Sequence, residues 1–354
     1  MDIRERHLAL GASLAADGIP LHFGDQAAEY DAALNAAVLM ERSHEGRLAL
    51  TGRDRLDLLH RISTNDLLSL AEGEGRPTIF TNANARILDG ATIYNRSDSA
   101  FVVTEPGRGG ALLRYLQRNI FFNDDAQISD LTPSTRQFVI HGQTADAVLE
   151  SLVPGLAATA PMHGQEAPIG DAAAFLARAK PLIGSNWLIV VANEHAVSVW
   201  DALLAAGSAH GLRPAGSLTY NALRIRAGRP GVGRELSSEY IPLEVGLWDE
   251  VSFHKGCYTG QEIIARMESR GRIARTIVAL SLERALDAPA PITIEGREIG
   301  TLTSSVVTPT GEAIGLAVIR VAHAKPGTRL SAGDGIDATI THLPGAQPPM
   351  LLED

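Results

Sequence analysis

Cysteine is nearly missing from this chain: Cys257 is the single one in 354 residues. One thiol excludes an internal disulfide framework and any metal or iron–sulfur site built from several cysteines of one chain. It fits a reducing, cytoplasmic setting. Long apolar runs are lacking too, and none approaches the roughly 18 residues of a membrane span. Basic residues are outnumbered, 31 against 41 acidic ones, for a formal charge of −10. That disfavours strong, sequence-independent nucleic-acid binding, which needs clustered cations. There is no G-x-G-x-x-G turn, Walker loop, G-x-S-x-G or H-E-x-x-H, so nucleotide-cofactor and serine-hydrolase readings have no motif behind them. The eleven histidines show no ligand spacing. Near the N-terminus, Arg4 and Arg6 precede "LALGASLAA", a loose likeness to an export signal. Asp2 and Glu5 interrupt its basic part and Gly11 and Ser13 its apolar part, so export is not expected.

What is there reads as an ordinary globular chain, 45% hydrophobic and 20% charged, long enough for two or three structural units. "DQAAEYDAALNAAVLMERS" (25–43) reads as a helix, "RLALTG" (47–52) as a strand and "TGRDRLDLLHRIS" (51–63) as a weakly capped helix. Residues 78–105 read as sheet, and "GRGGALLRYLQRNI" returns to helix. "RQFVIHG" and "NWLIVVA" read as buried strands, "TADAVLESLV" and "EHAVSVWDALLAAGSAHG" as helices. From Arg275 onward, short β-rich runs separated by Gly and Pro predict a small sandwich or barrel. The division expected is an α+β region over 1–272 and a β module over 273–354, with "AQPPMLLED" as a loose tail.

The lone cysteine sits in "HKGCYTGQE" (254–262). "TGQE" reads as a capping box, with Thr259 at the N-cap of a helix "QEIIARMESR" that stops at Gly271 and buries Ile263, Ile264 and Met267. Cys257 would then lie just before a helix N-terminus with Lys255 beside it, and both features favour thiolate. Gly256 and Gly260 allow an unusual turn and close approach of a ligand. A half-buried structural cysteine and a reactive thiol both fit these residues, and His254 adjoins either one.

"KGCYTGQE" resembles the signature of the YgfZ-type folate-binding proteins, relatives of the glycine-cleavage T-protein (aminomethyltransferase). The likeness extends through "NALRIRAGRPGVGRELSSEYIPLEVGLWDEVSFHKGCYTGQEIIAR", "LTGRDRLDLLHRISTNDLLSLAEGEG" and "TIFTNANARILDGATIY". It implies an α+β fold of ferredoxin-like units arranged as a T-protein-like ring and closed by a small C-terminal β-barrel. It further implies a tetrahydrofolate cofactor and partners among iron–sulfur proteins or cluster carriers. The function it implies is help in iron–sulfur cluster assembly or repair, with an indirect effect on tRNA modification. The alternative is a tetrahydrofolate-dependent aminomethyltransferase or demethylase acting on a small amine; a degenerate scaffold is a third reading.

On this resemblance Cys257 and Lys255 are the catalytic candidates. Asn65, Tyr94, Arg224, Arg226 and Glu244 are the folate-binding ones. Asn65 lines the cleft or merely ends a helix. Tyr94 lies near the pterin or packs within a strand. Arg224 and Arg226 clamp carboxylates or sit on a solvated helix face. Glu244 holds pterin amines, orients Lys255 or makes a surface salt bridge. Two departures from the T-protein pattern count against glycine cleavage. Gly90 stands where that pattern has a catalytic aspartate, with Asp89 one residue early and so on the opposite strand face. Arg226 stands where a glutamate contacts the pterin, and a guanidinium can only donate.

Overall fold

The computed structural model describes residues 2–271 and 273–346. All of the presumed tail except Ala346 lies outside them. The chain divides into two compact units, one of Met1–Leu56, Leu70–Arg76 and Thr92–Leu223, the other of Asp57–Ser69, Pro77–Ala91 and Arg224–Asp354.

The first unit holds a six-stranded sheet in the order Gly164–Ile169, Ala172–Arg178, Ser185–Ala192, Thr135–Gly142, Ala37–Glu41 and Leu212–Pro214. Neighbours are antiparallel except the last pair. The runs read as buried strands, "RQFVIHG" and "NWLIVVA", lie side by side, with Ile140 opposite Trp187 and Phe138 opposite Ile189. These four side chains join Val148, Leu149, Trp200 and Leu203 in one buried core. The last four come from the helices Ala145–Leu152 and Ala196–Gly207. Burial of such large apolar side chains is worth about 1.5–3 kcal/mol each before the entropy of ordering is counted.

The helix expected over 25–43 is shorter. It runs from Gln26 to Asn35, capped by the Asp25 carboxylate on the Ala28 amide at 2.9 Å. The continuation Ala37–Glu41 is a strand, buried at every position. It is hydrogen-bonded on both edges, to Thr135–Gly142 and to Leu212–Pro214, and this pairing outweighs the local helical spacing.

A five-stranded sheet follows the order Gly75–Thr81, Ile87–Asn95, Ser99–Pro106, Glu45–Thr51 and Gln127–Asp130. Beside it, the fully buried Arg47 gives hydrogen bonds to the carbonyls of Ser43, Glu45, Thr132 and Thr135 and to Thr135 Oγ1. Such saturation is the condition for keeping a guanidinium in the interior.

In the second unit the predicted β module is a closed six-stranded barrel, Arg275–Leu282, Ala313–Arg320, Arg297–Val307, Ala290–Ile294, Arg329–Ala332 and Ile336–His342. Leu280, Ile292, Leu302, Ile319 and Ile340 fill its interior. Closure leaves no unpaired sheet edge.

The first unit also buries His141, both ring nitrogens lacking a partner among the described residues. Burial, with Arg42 nearby, pushes it from 6.5 down to about 3. The unfolded chain therefore takes up a proton at this residue near pH 6.5 and the folded chain only near pH 3. Stability from this group is complete above pH 6.5 and is lost as pH falls through that window. Urea midpoints measured at pH 7, 5 and 4 should fall more steeply for the wild type than for His141→Leu.

Candidate functional site

The sequence candidates other than Tyr94 all lie in the second unit. The helix Arg55–Ile62 ends in the turn "STND", a dense knot of polar contacts. Thr64 Oγ1 donates to Glu250 O at 2.7 Å and accepts the Ile79 amide at 3.0 Å. Asn65 Nδ2 donates to Pro77 O and Asp249 O at 2.8 and 3.2 Å, and its Oδ1 accepts the Asp66 amide. The Asn65 side chain is thus committed to shaping the turn.

Lys255 reaches this turn. Its Nζ donates to Ser63 O at 2.7 Å, to Asn65 O at 2.8 Å and to His60 O. It also lies 5.2 Å from the centre of the Tyr258 ring. Burial pushes the ammonium down to about 8, and the Asp66 carboxylate works against that. His60 is lowered in turn by its own burial and by the Lys255 charge.

Cys257 is exposed, as is His254. The helix after them, Gln261–Ser269, does not have the expected capping box. Its N-cap is Gly260, at φ 87°, with no side-chain cap bond. A Cβ there would sit 2.6 Å from Asn82 O and 2.9 Å from Ala85 Cα, so both conformation and space demand glycine. Thr259 contributes its carbonyl, which accepts Thr81 Oγ1 at 2.6 Å. Glu262 is exposed and stands 3.7 Å from Arg266. The expected apolar stripe is present: Ile264 is buried, and Ile263 and Met267 pack beside it against a cluster that includes Ile241, Leu243 and Tyr258.

The other charged candidates are already paired. Arg224 is buried, not on a solvated face; it donates to Glu235 at 3.1 Å and to Ser304 Oγ at 2.9 Å. Ser304 returns a bond to Glu235 at 2.7 Å, and the Gly231 amide adds another at 2.9 Å. Glu244 is buried, not superficial. It accepts two bonds from Arg275 and one from the Ile241 amide, with Arg86 3.6 Å away. Arg226 pairs with Glu312 on the surface. Asp89 is 7% exposed and Leu88 before it 38%, while Gly90 and Ala91 after it are buried as well.

Tyr94 belongs to the first unit. Its ring is buried edge-on against Phe175, centroids 5.4 Å apart, and its hydroxyl has no partner among the described residues. Burial raises its pKa.

The sequence reading did not single out His60, Ser63 or Thr81 as partners of the cysteine loop. They act through main-chain carbonyls or a lone hydroxyl, which leave no residue signature. Among the described residues no group of three or more His, Cys, Asp or Glu is placed to hold a metal ion, and no helix is long and apolar enough to cross a membrane.

With this geometry in view, the relatives are informative. Residues 5–255 match the GCVT N-terminal domain and residues 275–345 the glycine cleavage T-protein C-terminal barrel domain. The chain belongs to the glycine cleavage T-protein (aminomethyltransferase) family. It is 31% identical over 336 residues to a chloroplastic protein of Arabidopsis thaliana that bears a transferase name, covering 94% of this chain and 77% of that one. It is 29% identical to an aminomethyltransferase of Streptomyces coelicolor over 351 residues, covering 96% and 93%. The fold matches the crystal structure of aminomethyltransferase T from Bartonella henselae with a TM-score of 0.85 at 22% identity, over 97% of each chain. Aminomethyltransferases of this family use tetrahydrofolate as the one-carbon carrier.

The two arginine pairs should separate cleanly by urea denaturation. Glu235→Ala removes the carboxylate that pairs with the buried Arg224 and should cost about 3–5 kcal/mol. Arg226→Ala removes an exposed pair and should cost less than about 1 kcal/mol.

Proposed function

We propose that this protein binds a reduced folate and uses it to accept a one-carbon unit from a small amine. The observation that carries the reading is the match to both T-protein family domains together with transferase relatives spanning nearly the whole chain. When bound, tetrahydrofolate supplies the nitrogens that receive the one-carbon unit. The residues fit such a group in part. Tyr94 keeps a buried hydroxyl without a protein partner, which a hydrogen-bonding ligand would satisfy. Asn65, Arg224 and Glu244 support the surrounding backbone and barrel, and their polar atoms are spent there.

Glycine itself is a poor candidate for the amine. Gly90 lacks the acid that the T-protein pattern has at that point, and buried Asp89 faces the other side of its strand. A different small aminomethyl compound fits this reading: its carbon is already at the methylene level, so it passes to the folate nitrogens with release of the amine and no change of oxidation state.

A second reading, YgfZ-type support of iron–sulfur cluster assembly or repair, is favoured by one feature. The exposed Cys257 within "KGCYTGQE" is a thiol free to meet a partner. A lone cysteine would share a cluster with that partner, since clusters usually take four ligands. A cytoplasmic location is part of the same reading.

Calorimetric titration with tetrahydrofolate under reducing conditions, followed by assay of methylene-tetrahydrofolate formation from candidate amines, tests the first reading. Saturable binding with turnover that survives Cys257→Ala supports it. Binding without turnover, with Cys257→Ala failing to sustain a cluster-dependent tRNA-modifying enzyme in cells, favours the second. No binding removes both folate-based readings.

A further inference from the structure

An ammonium has three hydrogens, and Lys255 gives each an acceptor: His60 O, Ser63 O and Asn65 O. These carbonyls lie in and just beyond the last turn of the helix Arg55–Ile62. The final carbonyls of a helix have no partner within it, and its C-terminal end favours a cation. No N–H remains to stabilise a thiolate or protonate a substrate.

The loop carrying Lys255 is tied a second time. Four residues on, Thr259 O accepts Thr81 Oγ1, and Gly260 then packs on Asn82. Cys257 stands exposed between the two ties. The strand that supplies Thr81 also holds the Asn65 turn: the Asn65 amide donates to Thr78 Oγ1 at 2.9 Å, and the Ile79 amide donates to Thr64 Oγ1. The cysteine loop and the Asn65 turn therefore share one scaffold, and Lys255 links them directly.

We propose that Lys255 is a positioning residue: its ammonium fastens the Cys257 loop to the turn after the helix Arg55–Ile62 and takes no part in bond making. The consequence for folate binding and turnover rests on the reading above; the fastening itself does not.

The test compares full-length wild type, Lys255→Arg and Lys255→Met at pH 7. Amide hydrogen exchange over residues 60–67 and 252–262 is measured, along with tetrahydrofolate titration, turnover in the methylene-tetrahydrofolate assay and the rate at which Cys257 reacts with the thiol reagent DTNB. Lys255→Met should speed exchange in both segments together, on the order of tenfold or more, as expected for loss of hydrogen bonds to a charged donor. Barrel strands over 275–342 should keep wild-type exchange, which separates local release from general unfolding. The DTNB rate should shift in the same variant. Lys255→Arg, still a charged multiple donor, should restore exchange, thiol rate and folate affinity toward wild type. Unchanged exchange in Lys255→Met would overturn the proposal. So would a Lys255→Arg protein with restored protection that stays as defective in turnover as Lys255→Met, because the ammonium would then act chemically. If the wild type binds no folate, the functional reading falls while the exchange result still decides the proposal.

Discussion

The end of the helix Arg55–Ile62 sets a constraint that the candidate site inherits. Its terminal carbonyls point into a half-buried region, where unsatisfied acceptors are costly. Water or a local side chain could cap them, but the chain uses Lys255, nearly 200 positions away in sequence. That choice fixes the path of the loop on either side. Gly260 then turns with a positive φ and with no room for a Cβ, whereas Gly256 has neither constraint. Cys257, between them, is held out to solvent rather than folded into the core. Burial works against keeping Lys255 charged, and the carbonyls and Asp66 oppose that tendency.

The same accounting sorts the remaining polar residues. Asn65, Arg224 and Glu244 look from sequence like groups awaiting a ligand. Each lies buried and has its hydrogen-bonding capacity filled by the protein. A buried charge without such partners would not persist, so burial and pairing arrive together. Spare capacity is found at the exposed Cys257 and at the Tyr94 hydroxyl, which has no partner among the described residues. Ligand chemistry is better sought at these groups than at residues already neutralised from within.

Much of the architecture was legible because its patterns are local. Short β-rich runs separated by Gly and Pro announced the barrel, although the four-residue strand Arg329–Ala332 was too short to register. The strands Thr135–Gly142 and Ser185–Ala192 declared themselves as short apolar runs. Ala37–Glu41 did not, because an Ala-rich lead-in carries helical spacing straight into it and only its sheet neighbours decide the outcome. Ala172–Arg178 hides for a similar reason, with three alanines at its start and strand partners on both sides. At the site, the motif flagged the right loop but not its wiring. Thr259 and Glu262 have capping-box spacing, yet Gly260's contact with Asn82 moves the cap one residue on and leaves Glu262 in solvent. Lys255 was visible as a charge near a thiol; its real partners are carbonyls that any residue type would provide.

This bears on how far family membership can be taken toward chemistry. A shared fold places strands and a barrel, while activity resides in particular side chains. Moving an acid by one position along a strand keeps composition and fold while turning the carboxylate to the other face. Asp89 and Gly90 illustrate that case: the chain retains an aspartate in the matching segment, but it is buried and its Oδ1 accepts the next residue's amide at 3.1 Å. A proton-transfer step that needs an acid at the Gly90 position has no side chain there to perform it.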